Sequence, residues 1–408
     1  MVDYKNLPQN VQMIISTLES AGYEAFVVGG CVRDMLRGVP PKDWDIATSA
    51  TPLQAKALFS RTVDTGIKHG TITVLLGHTH YEVTTYRIDG EYLDNRRPES
   101  VIFSRNIEED LSRRDFTMNA IAYNQRDGFI DPFNGRGDIK NGIIRCVGVA
   151  EHRFAEDALR MLRAVRFAAV TGFSVDGEIL HASSKLRQNL KNISPERVRE
   201  ELGKLICAAH PQALELLDTT GLLPFVLQGR EFGGHLRKII AHFKICPVYE
   251  PMRLALFLSW AGDECENILR DLRFDNKTIK EVAQYIRFLP LPLPANRYEI
   301  KKLLGVFAQE SLFENFFVIR AIEQPLQSVE IESIRTQGLN IIEKGECFTL
   351  KTLALNGKDL AQMGIAPGKT MGDMLTALLD IVMHDASMNT KSCLESVVYK
   401  MGSEPGSR

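Results

Sequence analysis

The pattern of apolar residues changes once along this chain, and that change is the strongest constraint on how it can fold. Up to about residue 145, short β-branched and aromatic runs are separated by glycine-containing turns, which is typical of strands. From about residue 150 onward, apolar residues recur at helical spacing almost throughout. The sequence therefore predicts an α+β protein with its strands in the first part and helices in the remainder.

Individual elements follow from the same patterns. We expect strands at 26–28, 71–76, 81–86 and 143–147, and helices at 7–21, 51–59, 155–169 and 194–208. Pro52 follows Thr51, and Pro195 follows Ser194, as a proline in the first helical position follows an N-cap residue. The proline-rich stretch 290–296 is a candidate linker between helical modules.

Length and composition narrow the class of protein. A chain of 408 residues exceeds one ordinary hydrophobic core, so two to four domains are expected. There is no apolar run of the roughly 20 residues that span a bilayer, so we expect no membrane partner and a cytoplasmic location. Seven scattered cysteines fit reduced thiols. The net charge of −2 means that any nucleic-acid site must be a local basic surface.

A glycine turn suggests a phosphate site near the start of the chain. A strand ends at Gly29-Gly30, and a short helix follows from about Cys31. Without side chains, this turn lets a phosphate approach backbone N–H groups, and Arg33 could close on the same phosphate. Most glycine pairs are only turns, so this motif alone is weak.

Two aspartates strengthen the prediction. Asp43 and Asp45 are two positions apart, so on a strand both carboxylates would project from one face. Like charges that close repel unless a cation lies between them, and a divalent cation is what phosphoryl transfer needs. A lone pair of this kind is more often an exposed acidic edge. The glycine turn some 13 residues upstream reverses that preference.

Further candidates lie downstream. Glu82, on the strand predicted at 81–86, is either a third carboxylate or an ordinary exposed strand residue. Arg114 suits a phosphate, and Asp115 suits a sugar hydroxyl, although a mixed-charge surface helix explains them equally well in isolation.

The predicted helix at 155–169 carries a charged face. Glu156 and Arg160 are i,i+4 neighbours, and Arg163 continues that face. A salt-bridged surface helix is the alternative to a binding site.

In order along the chain, these motifs resemble those of class II tRNA nucleotidyltransferases and bacterial poly(A) polymerases. The matching segments are G-G-x-V-R-D-x-L-x-G at 29–38, D-x-D at 43–45, R-R-D-F-T-x-N-A at 113–120, D-P-F-x-G at 131–135 and E-D-x-x-R at 156–160. The resemblance is collinear over about 20–210 and returns at L-N-G-K-D-L, 355–360.

The resemblance implies a polymerase-β-like nucleotidyltransferase head at 1–148, followed by an all-α neck at 149–210, body at 211–295 and tRNA-binding tail at 296–408. It implies that Asp43 and Asp45 bind Mg2+, with Glu82 as a further catalytic candidate. Asp157 and Arg160 would select the base of CTP or ATP. The nucleotide-binding residues that it implies are Gly29, Gly30, Arg33, Arg114, Asp115, Asn119, Glu156, Asp157, Arg160, Arg163 and Arg166.

The implied activity is template-independent addition of CCA to the 3′ end of tRNA from CTP and ATP, with release of pyrophosphate. A-only addition is the alternative, because the segment 86–98 looks like a flexible loop that CC-only enzymes lack and A-only enzymes keep. Poly(A) polymerisation fits less well, since its basic signature does not follow the aspartates. An inactive RNA-binding head does not fit two intact aspartates. The expected partner is the tRNA acceptor end, with a homodimer as a further expectation.

Overall fold

The computed structural model describes residues 7–90, 101–307 and 309–402. It divides into two compact units, Met1–Ile240 with Asp271–Phe274, and Ala241–Arg270 with Asp275–Arg408. Within the described ranges, no helix is both long and apolar enough to cross a membrane.

All the described strands lie in the first unit. They are β1 (Ala25–Val28), β2 (Asp45–Thr48), β3 (Thr62–Gly66), β4 (Thr71–Leu76), β5 (Thr79–Thr85), β6 (Arg87–Asp89), β7 (Val101–Phe103), β8 (Ala122–Asn124), β9 (Gly128–Ile130), β10 (Ile143–Ile144) and β11 (Ser174–Val175). Seven of them form one sheet in the order β3-β4-β5-β2-β1-β8-β9, while β6 pairs with β7 and β10 with β11. Within the large sheet, β2 and β5 are parallel neighbours and the other pairs are antiparallel.

The remaining elements of the first unit are helical. Its helices are α1 (Gln9–Ser20), α2 (Gly30–Leu36), α3 (Pro52–Leu58), α4 (Ile107–Ser112), α5 (Gly135–Asn141), α6 (Ala150–Glu156), α7 (Leu159–Thr171), α8 (Gly177–Leu186), α9 (Pro195–Ile206), α10 (Glu215–Thr219) and α11 (Leu223–Val226). Short 3-10 helices occur at Ile67–His69, Thr117–Asn119, Arg187–Asn192 and Pro211–Leu214. One face of the sheet packs Phe26, Val28 and Ala47 against Tyr86 and Leu111, all buried.

In the rest of the chain, every described element is helical. The helices are α12 (Leu236–Ile245), α13 (Glu250–Leu258), α14 (Cys265–Asp271), α15 (Asn276–Phe288), α16 (Arg297–Phe307), α17 (Glu310–Glu323), α18 (Ser328–Glu343), α19 (Gly357–Gln362), α20 (Lys369–His384) and α21 (Lys391–Gly402), with 3-10 helices at Ser259–Glu264, Pro325–Gln327, Leu350–Thr352 and Ala386–Met388. Near the C-terminus, Leu355 and Leu360 pack on Leu378, Val382 and Leu394.

The predicted α+β class and most of the predicted elements are confirmed. β4 has the predicted bounds, and Thr51 caps α3 in a capping box with Gln54 while Pro52 takes the first helical position. The segment 290–296 does connect two helices, α15 and α16, but both lie in the second unit, so it does not separate the compact units. The division into neck, body and tail stays a prediction.

One predicted helix is wrong. The segment 155–169 contains a break at Asp157, whose φ of −136° and ψ of 103° are not helical, so α6 ends before it and α7 begins at Leu159. The Asp157 carboxylate accepts a bond from the Leu159 N–H at 3.1 Å. Such side-chain-to-backbone bonds compete with helix continuation, and they are a physical reason for the break.

Candidate functional site

The predicted acidic residues meet at one end of β2. Asp45 is the first residue of β2, but Asp43 lies in a bend before it, so the prediction of a shared strand is wrong. Parallel pairing of β2 with β5 sets Asp45 directly opposite Glu82. Because residues in register on neighbouring strands face the same way, Glu82 lies beside Asp45.

The electrostatics of these three carboxylates favour a cation. Burial raises the pKa of Asp45; the Arg114 guanidinium opposes this shift, and the charges of Glu82 and Asp43 add to it. In the described part of the chain, none of the three carboxylates has an ion-pair partner. Among the described residues, there is no group of three or more His, Cys, Asp or Glu side chains in a geometry that could hold a metal ion. Mg2+ commonly takes only one or two carboxylates and completes its shell with water and substrate phosphates, so this donor set fits it.

The glycine turn lies against the same carboxylate. Gly29 has a φ of 75°, in the region that favours glycine, and a Cβ there would come within 3.0 Å of Arg114 Nη1 and 4.0 Å of Asp45 Oδ2. The missing side chain therefore leaves room between the backbone, Arg114 and Asp45. Gly30 starts α2.

Arg114 is anchored but not saturated. Its Nη2 donates to Asp110 Oδ2 at 3.0 Å, while its buried Nε has no hydrogen-bond partner among the described residues. A buried N–H without an acceptor is costly, so this donor is well suited to an anionic ligand.

Arg33 is held by protein groups. Its Nη1 donates to Asn119 Oδ1 at 2.9 Å, and its Nε and Nη2 donate to the Asp34 carboxylate at 2.9 and 3.0 Å. The side chain is buried, and its bond through Nη1 helps to position Asn119. Contact of Arg33 with phosphate stays a prediction.

Asp115 is also fully engaged. Its Oδ1 accepts from Phe116 N and Asn119 Nδ2 at 2.8 and 3.0 Å, and its Oδ2 accepts from Arg163 Nε and Nη2 at 2.8 and 2.7 Å. Burial would raise the pKa of this carboxyl, but the Arg163 charge, the Asn119 and Arg163 bonds and the Arg160 charge bring it down to about 2. The carboxylate thus stays ionised and fixes Arg163.

Arg163 and Arg166, both on α7, share a carboxylate and an aromatic ring as neighbours. Arg166 Nε donates to Glu201 Oε2 at 2.5 Å, and Arg163 Nη1 lies 3.7 Å from Glu201 Oε1. The two guanidinium carbons lie 3.9 Å (Arg166) and 5.3 Å (Arg163) from the centre of the Phe167 ring. Carboxylate and ring together hold these cations in place.

The break between α6 and α7 presents the predicted base-recognition residues. Arg160 Nη1 donates to Glu156 Oε2 at 2.7 Å, and its Nη2 donates to the Arg113 carbonyl at 3.0 Å. Asp157 accepts from Arg197 Nη2 at 2.8 Å and from Nη1 at 3.3 Å.

Two further residues of this site, Arg197 and Glu201 on α9, were not predicted from the sequence. Their partners Asp157 and Arg166 lie 40 and 35 positions away in the chain. Helical periodicity places Arg197 and Glu201 on one helix face but says nothing about partners so distant, so no local signal could have found these ion pairs.

Comparison with known families assigns three regions of the chain. Residues 25–145 match the family described as "Poly A polymerase head domain". Residues 172–231 match the family "Probable RNA and SrmB- binding site of polymerase A", and residues 252–398 match a tRNA nucleotidyltransferase domain 2 family. These matches define a nucleotidyltransferase.

Whole-chain relatives define the class more narrowly. A CCA-adding enzyme from Lactiplantibacillus plantarum is 38% identical over 95% of this chain and 94% of its own, and one from Geobacillus thermodenitrificans is 46% identical over 93% of each. The crystal structure of the Bacillus stearothermophilus CCA-adding enzyme in complex with CTP superposes with a TM-score of 0.82 at 32% identity, covering 97% of this chain and all of the other. The chain belongs to the family of CCA-adding enzymes, and the predicted polymerase-type head with a helical remainder is confirmed.

Proposed function

We propose that this protein adds C, C and A to the 3′ end of tRNA without a template, using CTP and ATP. The observation that carries the proposal is the unpaired set Asp43, Asp45 and Glu82 beside Arg114 and the open Gly29 backbone. Membership of the CCA-adding family supports the same activity.

The reaction joins two substrates at these carboxylates. The tRNA 3′-hydroxyl gives up its proton, for which Glu82 is the candidate base, and its oxygen forms a bond to the α-phosphorus of the nucleotide. The bond from that phosphorus to the bridging oxygen breaks, and pyrophosphate leaves with the electron pair. Asp43 and Asp45 would hold Mg2+, with Glu82 as a further ligand or base. When bound, the ion supplies Lewis acidity for the hydroxyl and the leaving group. Arg114 and the Gly29-Gly30 turn bind the phosphates, and the unsatisfied Arg114 Nε supports this role.

The choice between C and A would be made by residues at the break between α6 and α7. We assign the Watson–Crick edge of the incoming base to Asp157 and Arg160, whose carboxylate and guanidinium are an acceptor and a donor group. A base would replace some of the bonds that these two side chains make with protein groups. Glu156 holds Arg160, and Arg197 holds Asp157.

The remaining assignments concern the triphosphate and the sugar. Arg163 and Arg166 supply positive charge for the triphosphate or the primer end. Contact of a ribose hydroxyl with Asp115 would replace one of the four bonds that its carboxylate already accepts, so that contact stays a prediction.

A Thermotoga maritima CCA-adding enzyme complexed with tRNA_CCA has the same fold as this chain, with a TM-score of 0.65 at 20% identity. We infer that the tRNA acceptor end is the partner. A homodimer and a cytoplasmic location stay predictions, of which the first is tested by light scattering on the purified protein.

One experiment separates the related activities. The purified protein is offered three tRNA transcripts, ending before CCA, after C and after CC, with labelled CTP and ATP. Full CCA addition completes all three. A-only addition extends only the third, and poly(A) polymerisation gives long A tails on any of them. The last two outcomes would overturn the proposal.

A further inference from the structure

A cavity of about 680 Å³ lies where the C-terminal end of α2 meets α5, and none of the three carboxylates lines it. Three cationic side chains line it: Arg37, Arg136 and Lys140. We call this the basic pocket. Gly29 precedes α2 and Arg37 follows it. Because α2 has seven residues and a helix rises ~1.5 Å per residue, these two ends of the helix are about 10 Å apart.

The two cations on α5 are placed at an energetic cost. Arg136 and Lys140 are i,i+4 neighbours, both exposed, and like charges at that spacing destabilise a helix by about 0.2–0.5 kcal/mol. Within the described ranges, neither side chain has an ion-pair partner. Their charges are therefore available to a ligand from outside.

The acidic residue in the lining does not neutralise them. The Asp131 carboxylate accepts from Gly135 N at 2.7 Å and from Arg136 N at 2.9 Å, so it is used to start α5. With three cations and one such carboxylate in its lining, the basic pocket has an excess of positive charge.

Aromatic rings orient the two arginines. The Arg37 guanidinium carbon lies 5.4 Å from the centre of the Phe173 ring, and that of Arg136 lies 4.7 Å from the centre of the Phe129 ring. Stacking occupies the face of a guanidinium and leaves its in-plane N–H groups for acceptors. Arg37 also keeps long contacts of 3.4 Å to Asp34 and 3.5 Å to the Thr171 carbonyl, so binding depends mainly on Arg136 and Lys140.

We propose that the basic pocket binds backbone phosphates of the RNA substrate, as an anchor separate from the nucleotide site. A chain with a net charge of −2 needs such a local basic surface to hold RNA. A strand that advances ~3.4 Å per nucleotide could reach both Gly29 and the basic pocket. The proposal rests on the proposed function, because it takes RNA as the substrate.

The test compares Arg136→Gln/Lys140→Gln with Lys56→Gln/Arg126→Gln, which removes the same charge from a half-buried and an exposed position outside the pocket lining. Binding of a tRNA transcript that ends before CCA is measured by fluorescence anisotropy at several salt concentrations. KM for that tRNA and for CTP is measured separately.

We expect the pocket variant to bind this tRNA at least about tenfold more weakly at low salt and to lose up to about two units of the slope of log K against log salt. KM for tRNA should rise while kcat and KM for CTP stay unchanged. A slope equal to that of the control variant would overturn the proposal. So would a rise in KM for CTP alone, or inhibition by inorganic phosphate that the substitutions relieve without any change in tRNA binding, since the pocket would then hold a free anion. Because binding is measured without catalysis, failure of the proposed function, seen as no incorporation by the unaltered protein, is a distinct result.

Discussion

The first unit contains two groups of carboxylates that differ in their partners. Asp43, Asp45 and Glu82, at the end of β2 and on β5, have no ion pair among the described residues. Asp115 and Asp157, in contrast, are each bound to an arginine through two nitrogens. We propose that the first group binds a cation from outside the chain, whereas the second group pairs with the chain's own arginines.

The pKa values of two aspartates express the same difference. Burial raises the pKa of Asp45, and its acidic neighbours add to the shift. Burial acts in the same direction on Asp115, but Arg163 and Asn119 bring its pKa down to about 2. Neighbouring charges and bonds, and not burial alone, decide whether a buried aspartate favours its charged form.

The largest effect on activity should come from substitution in the first group, the carboxylates without an ion pair. Asp45→Asn should lower nucleotide incorporation on the order of a thousandfold or more, because phosphoryl transfer would lose a carboxylate needed for the cation. The measurement is single-turnover incorporation of labelled CTP. Asp64→Asn, an exposed aspartate of β3 paired with Lys56, is the control. Binding of tRNA should persist in both variants, and near-normal incorporation by Asp45→Asn would refute the metal assignment.

Substitution of Asp157, in the second group, should change the choice between CTP and ATP more than the rate of nucleotide incorporation. Asp157→Asn keeps the size of the side chain but replaces an acceptor with a donor, so the ratio of kcat/KM for CTP and ATP should shift about 10- to 100-fold. Glu151→Gln, an exposed carboxylate paired with Lys185, should leave the ratio unchanged. An equal loss with both nucleotides would argue against base recognition by Asp157.

Arg197 should act through Asp157, with a smaller effect. Arg197→Gln removes both bonds to that carboxylate. Partners that orient metal ligands are worth about 10- to 100-fold, and for this analogous positioning role we expect about tenfold in the CTP/ATP ratio. Arg197→Lys, which can keep one charged bond, should recover part of the ratio. If Arg197→Gln lowers activity with both nucleotides alike and Lys restores nothing, the residue has only a structural role.

The smallest effect concerns stability. A pKa lowered from 3.8 to about 2 means that ionised Asp115 stabilises the fold by about 2 kcal/mol at neutral pH. That contribution is complete above about pH 5 and is lost as the pH falls towards 2, because the folded state then has to take up the proton. Asp115→Asn should therefore be less stable than the parent to urea at pH 7, and the difference should shrink at pH 3. A difference that is constant with pH would exclude the ionised carboxylate as its source.

Local sequence was sufficient for features set by short spacing. The change from strands to helices, the glycine turn at Gly29 and the cap at Thr51 all depend on dihedral preferences and periodicities within a few residues. The Glu156–Arg160 ion pair was predicted from i,i+4 spacing, and it forms at 2.7 Å even though a helix break separates the two residues. The loop predicted at 86–98 extends into 91–98, which lie outside the described residues; its start, Arg87–Asp89, is β6.

The sequence by itself thus determined the fold class, the order of the motifs and the residue types that could carry nucleotidyl transfer. Only the tertiary structure set Glu82 opposite Asp45, brought Arg197 to Asp157, and joined Arg37 to Arg136 and Lys140 in the basic pocket. The physical reason is that spacing along a helix or strand fixes neighbours over a few residues. Strand register and helix packing, which depend on how the whole apolar surface is buried, fix the others.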